Sequence, residues 1–117
     1  MDRGEVHRID LELPDHVPGN GTVVRRKFVV TLRGGPDAAW EADVPIVIAS
    51  TDRGAPRQPH EVAADASDGF DHDTIIDCRW VHTVPARFLR AETYQFTLGP
   101  QRMHEISVAV VEGLQLL

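Results

Sequence analysis

Arg3-Gly4-Glu5-Val6, followed by Ile9, Asp10 and Leu11, reads as a first strand. Val6, Ile9, Leu11 and Leu13 alternate loosely with polar residues, which suits a half-buried strand better than a helix. Outward from it, Pro14-Asp15-His16-Val17-Pro18-Gly19-Asn20-Gly21 combines two prolines with an Asn-Gly turn signal, so a long hairpin loop follows. The chain then re-enters strand at Thr22-Val23-Val24 and in the apolar run 28–32, and Arg33-Gly34-Gly35-Pro36-Asp37 closes that run as a loop.

A third strand is expected over 44–50, where Val44-Pro45-Ile46-Val47-Ile48-Ala49 is apolar enough for burial on both faces. Pro45 cannot donate to a ladder, so the strand should begin or border an edge there while staying central in the domain. Glu61-Val62-Ala63-Ala64 reads as a short strand, 65–69 as a turn, and Thr74-Ile75-Ile76-Asp77-Cys78 as a buried strand. Residues 85–89 look like one helical turn and 91–96 like a further strand. The last segment is helical. Gly99 can cap it, Pro100 suits its first turn, and Met103, Ile106, Val110, Val111 and Leu114 recur on one face. Short strands with one terminal helix imply a mostly β fold, a small curved, barrel-like sheet.

At 117 residues the chain fits one domain spanning 1–117, and 42% hydrophobic with 26% charged residues is ordinary globular composition. Cys78 is the single cysteine, which excludes an intrachain disulfide and fits a reducing compartment; it should fill core. No basic, apolar leader and no bilayer-length apolar run appears, so a cytoplasmic protein without membrane contact is expected. The formal charge of −6 argues against broad attraction to nucleic acid, so any such site must be local. Arg25-Arg26-Lys27, with Arg33 nearby, is the one candidate cluster. The six histidines show no metal-ligand spacing, and Asp71-His72-Asp73 reads as a turn before a strand; no metal or other cofactor is expected. Gly34-Gly35 lacks the helix and lysine of a phosphate loop.

Arg3-Gly4-Glu5 on strand one, the basic start of strand two, the hydroxyl residue closing strand three, Pro59-His60-Glu61-Val62, and the block from Gly69-Phe70 through Thr74-Ile75-Ile76 to His82-Thr83-Val84 and Leu89 follow one another in a familiar order. In that order they resemble the MazF/PemK family of toxin endoribonucleases. The resemblance runs along nearly the whole chain. It implies an SH3-like barrel of the MazF/CcdB type, a homodimer formed across the sheet and terminal helix, and neutralisation by a cognate antitoxin. It further implies sequence-specific, metal-independent cleavage of single-stranded mRNA by attack of the ribose 2′-hydroxyl, within a type II toxin-antitoxin system.

The resemblance carries a phosphate-binding catalytic role onto Arg26, with Arg25 as an alternative in register. A guanidinium suits the role because it donates two hydrogen bonds and stays charged. A hydroxyl on the same phosphate falls on Ser50, with Thr51 one residue away; since a one-residue step flips a strand side chain to the other face, only one can point into the site. His16 is the loop residue suited to general acid or base work, with Asp15 able to orient it. Lys27 and Arg79 are candidates for substrate binding beside Arg25 and Thr51, and Trp80 could stack a base, although burial in a dimer interface is its more ordinary use.

The chain also departs from the family. The loop between strands one and two lacks the usual Gly-x-Glu-Gln, Lys27 stands where the family has proline, and Asp77 and Arg79 flank Cys78 with charges reversed. These departures and the acidic balance favour an alternative of a different class: a non-catalytic binding module of the same fold, gyrase-poison-like or binding only an antitoxin-like partner.

Overall fold

The structure is a computed structural model that describes residues 2–34 and 42–114. Its strands are β1 (Glu5–Pro14), β2 (Thr22–Thr31), β3 (Asp43–Thr51), β4 (Glu61–Ala64), β5 (Thr74–Pro85) and β6 (Tyr94–Thr97); a 3-10 turn, Ala86–Phe88, follows β5, and one helix, α1 (Pro100–Gly113), ends the described chain. They form a six-stranded sheet in the order β4-β5-β3-β2-β1-β6, every pairing antiparallel. Mostly β with a C-terminal helix is the expected class. The barrel, however, is not closed: β4 and β6 are its two edges and do not pair with each other. With four residues each, they are too short to supply a closing ladder.

The run at 22–24 and residues 28–31 of the next belong to one strand, β2, because its polar centre pairs with β1 without a break, from Val6 opposite Val30 to Pro14 opposite Thr22. The 15–21 loop closes this hairpin, with Gly19 and Gly21 at positive φ. Residues 35–37 of the expected loop lie outside the described residues. β3 sits between β2 and β5, central as expected; Pro45 does not mark an edge, since its carbonyl accepts the Leu32 N–H at 2.9 Å and only its missing donor is lost.

β5 is longer than expected because it is bulged. Ile48 faces Asp77 while Ile46 faces His82, so residues 78–81 stand against the single residue Val47. Cys78 points inward at 0% exposure, and the bulge leaves Trp80 60% exposed within this chain. Burial pushes the Cys78 thiol up to about 12, with the Asp77 charge adding to it. The folded protein should therefore resist a thiol reagent at pH 8 and react only when unfolded by urea.

Strand alternation builds two apolar layers. Val6, Val30, Val47, Ala49, Ile76 and Cys78 face α1, which meets them with Met103, Ile106 and Ala109. Ile9, Val29, Val44, Ile46 and Val84 face the other way, under Ala86 and Leu89. Val110 packs at the margin of the α1-facing layer, Ala109 joins it beyond the expected face, and Leu114 is 46% exposed. His7 lies within the fold at 1% exposure, its Nε2 at 2.8 Å from Glu5 Oε1 and its Nδ1 at 2.8 Å from Thr93 Oγ1, so both ring nitrogens are satisfied.

Two contacts fix the helix. Arg102 makes a two-pronged ion pair to Asp68 at 3.1 and 3.0 Å and a third bond to Glu105 at 2.8 Å, which ties α1 to the turn before β5. At the far end Gly113 rests on the β5 backbone: a Cβ there would meet Arg79 Cα and Cys78 O at 2.7 Å. Backbone cannot yield as a side-chain tip can. Gly113→Ala should lower unfolding free energy by about 1–3 kcal/mol in urea titrations.

Candidate nucleic-acid interface

Phe28 stands opposite Ala49 in the β2–β3 ladder, and side chains alternate on either side of that pair. Two polar groups therefore form at the open end of the sheet, on opposite faces. Arg26 and Thr51 belong to the α1 side with Phe28 and Ala49. Lys27, Arg25 and Ser50 belong to the other. Arg26 and Ser50 are thus not brought together, contrary to the expected pairing; the one-residue alternative, Thr51, shares the face of Arg26.

On the α1 side, Asp10 lies opposite Arg26 and holds its Nε at 3.1 Å. Both partners are more than half exposed, so the pair is worth at most about 1 kcal/mol and can open for a phosphate. Arg8, opposite Phe28, places its guanidinium carbon 5.6 Å from that ring's centre. His72 completes the face from the segment before β5. Its Nε2 is 3.2 Å from Thr51 Oγ1, and its Nδ1 is bonded to the Asp71 carboxylate. The buried Thr74 hydroxyl donates to the His72 carbonyl at 3.0 Å, and Phe28 lies beside the imidazole at 6.4 Å between ring centres. Nothing local in the sequence links Asp71, His72 and Arg8 to Thr51, and the Asp71-His72 pair reads there only as a turn.

On the other side, Leu13, Lys27, Ile48, Ser50, Asp77, Trp80 and His82 line a shallow cavity of about 180 Å³. Lys27 has no ion pair among the described residues. Asp77 Oδ1 accepts the Arg79 backbone N–H at 2.9 Å, and the Arg79 guanidinium carbon lies 5.3 Å from the Trp80 ring centre; the charges of Asp77 and Arg79 are not paired side chain to side chain. Arg25 turns toward Asp15, 4.0 Å away, and its buried Nε has no hydrogen-bond partner among the described residues.

His16 joins neither group. It sits exposed in the hairpin loop, which begins four ladder steps beyond the Asp10–Arg26 pair, about 13 Å along the strands. Nor does Asp15 orient it. Against a desolvation cost, the Asp15 carboxyl is held below its ordinary value by backbone N–H groups of Val17 and His16, by Asn20 and by Arg25. Among the described residues no three His, Cys, Asp or Glu side chains gather as a metal-ligand set, and no helix is long and apolar enough to cross a membrane.

No protein-family model matches the chain, and no curated protein does. Solved structures do. An endoribonuclease from a mycobacterial species superposes with a TM-score of 0.71 at 23% identity, covering 98% of this chain and 91% of its own. A mycobacterial endoribonuclease in complex with its cognate antitoxin gives 0.68 at 23% identity, with 100% and 97% covered. The Mycobacterium tuberculosis toxin MazF-mt6 gives 0.61 at 14% identity, with 95% and 96% covered. The fold is theirs along its whole length.

The His72 bond, with smaller help from the charges of His72 and Arg8 and against desolvation, holds the Asp71 carboxyl below the ordinary carboxylate range. Its folded value lies below the unfolded one, so the pair stabilises the fold above that range and the contribution is lost as pH falls through the folded value. Carboxyl NMR titration should find Asp71 titrating low, and His72→Gln should move it up.

Proposed function

We propose that the protein is a metal-independent endoribonuclease, the toxin of a type II toxin-antitoxin pair, which cuts single-stranded mRNA by attack of a ribose 2′-hydroxyl on the adjacent phosphate. The observation that carries this reading is the match of the entire fold to proteins named as endoribonucleases, with 98% of this chain aligned to one of them. The geometry supplies chemistry to go with it. Arg26 and Arg8 offer two permanent cations on the face that bears the Thr51 hydroxyl. A phosphate bound there would gain charge-assisted hydrogen bonds that strengthen as the phosphorane charge develops. Cognate antitoxin binding, as in the complexed neighbour, homodimerisation and a cytoplasmic setting belong to the same reading.

The cavity on the opposite face favours a second arrangement of the same activity, in which Ser50 and Lys27 hold the phosphate and Trp80 stacks a base. The two differ in which alternate residues matter. Purified protein in EDTA should cut a long unstructured transcript at discrete positions, mapped by primer extension, leaving cyclic phosphate and 5′-hydroxyl ends. Arg26→Ala should lower the cleavage rate by about 100-fold or more and Thr51→Ala should also slow it, while Ser50→Ala and Lys27→Ala remain close to wild type. The reverse pattern moves the site to the cavity face. Absence of cuts by the folded wild type returns the protein to the class of binding modules.

A further inference from the structure

Any 2′-hydroxyl attack needs a base for the departing proton, and neither Arg26 nor Thr51 can take one at neutral pH. Deepening the endoribonuclease reading, on which it rests, we infer that His72 is the general base, oriented by Asp71, and that the Asp71–His72–Thr51 chain is built for the ribose 2′-hydroxyl of single-stranded RNA.

The hydrogen-bond roles lead there. The Asp71 carboxylate can only accept, so it fixes the proton of a neutral His72 on Nδ1 and leaves Nε2 with its lone pair free to accept. That nitrogen already accepts a hydroxyl, that of Thr51, at 3.2 Å. The imidazole is also held from behind. The buried Thr74 hydroxyl fixes the His72 carbonyl at 3.0 Å, the Asp52 N–H donates to the Asp73 carbonyl at 2.9 Å, which staples this segment to the end of β3, and Phe28 bounds the ring on the sheet side. A carboxylate, an imidazole and a hydroxyl in sequence, with two arginines on the same face, is more organisation than a solvated turn requires.

The step balances without another reactant. His72 Nε2 takes the 2′-hydroxyl proton as O2′ bonds to phosphorus. The phosphorus–O5′ bond breaks with its electron pair going to O5′, which draws a proton from solvent water, and His72 later returns its proton to solvent. Arg26 and Arg8 face the phosphoryl oxygens. Asp71 is a positioning residue, since it acts only through the imidazole, and its loss should lower the rate less than loss of the base itself.

The test compares wild type, His72→Ala and Asp71→Asn in EDTA, using an RNA oligonucleotide spanning a mapped cut and its 2′-deoxy counterpart at the cut position. His72→Ala should slow single-turnover cleavage by about 100-fold or more while its Kd for the uncleavable deoxy oligonucleotide stays at the wild-type value and the variant remains folded at the assay temperature. Added imidazole should restore part of the rate in His72→Ala and none in Arg26→Ala. A merely structural histidine would give no such rescue. Wild-type cleavage by His72→Ala, or a rate loss matched by a loss of binding and unmoved by imidazole, overturns the assignment while leaving the endoribonuclease reading intact. Failure of the wild type to cleave any RNA removes that reading, and this assignment with it.

Discussion

Phe28 lies across from Ala49, and this single pairing between β2 and β3 distributes the chemistry of the protein. Side chains two residues apart share a face, so the register that buries Val30 and Val47 beneath α1 also carries Arg26 and Thr51 out beyond the helix on the same side. A slip of one residue would exchange them for Lys27 and Ser50 and would also expose the α1 layer to water. Burying those valines is worth roughly 1.5–3 kcal/mol each, so the core enforces the register and the polar face inherits it.

The same layer explains why the β1–β2 hairpin end is open and polar. α1 covers β4 and β5, where Met103, Ile106 and Ala109 meet the sheet, and stops short of the β1–β2 hairpin end. Beyond it the strands continue with Arg8, Asp10, Arg26 and Thr51 in place of apolar residues. The helix is also pinned at both ends, by Arg102 on Asp68 and by Gly113 on the β5 backbone. Arg8 and Arg26 reach this face together, beside Asp10 and Asp71, because they sit on neighbouring strands and not along the sequence.

Bulging of β5 has a separate effect on the opposite face. Setting four residues against Val47 swings Trp80 outward and brings Asp77 and His82 to the rim of the cavity that holds Ser50 and Lys27. Aromatic, cation and hydroxyl are thereby assembled without sharing a strand. The two faces also differ in how their polar groups are held. On the α1 side Arg26 is held by Asp10, and Thr51 and Asp71 both bond to His72, whereas on the cavity side Lys27 has no ion pair among the described residues.

Much of the fold was legible in the chain itself. Alternation over 5–14, the Asn-Gly hairpin loop, the apolar run of β3 and the capped periodicity of α1 are local signals, and each element formed where those signals stood. Arg26 and the Ser50/Thr51 pair entered as candidates through the family resemblance, carried by residue type and order along β2 and β3. What the sequence could not decide was which of two adjacent hydroxyls shares a face with the arginine, since that depends on the pairing of β2 with β3. Nor could it join His72 to Thr51, 21 residues earlier, set His16 apart from both polar groups, or leave the sheet unclosed. Those outcomes come from register, a bulge and edge-strand length. They are settled by burial of two apolar layers between residues far apart in the chain, for which no local pattern carries a signal.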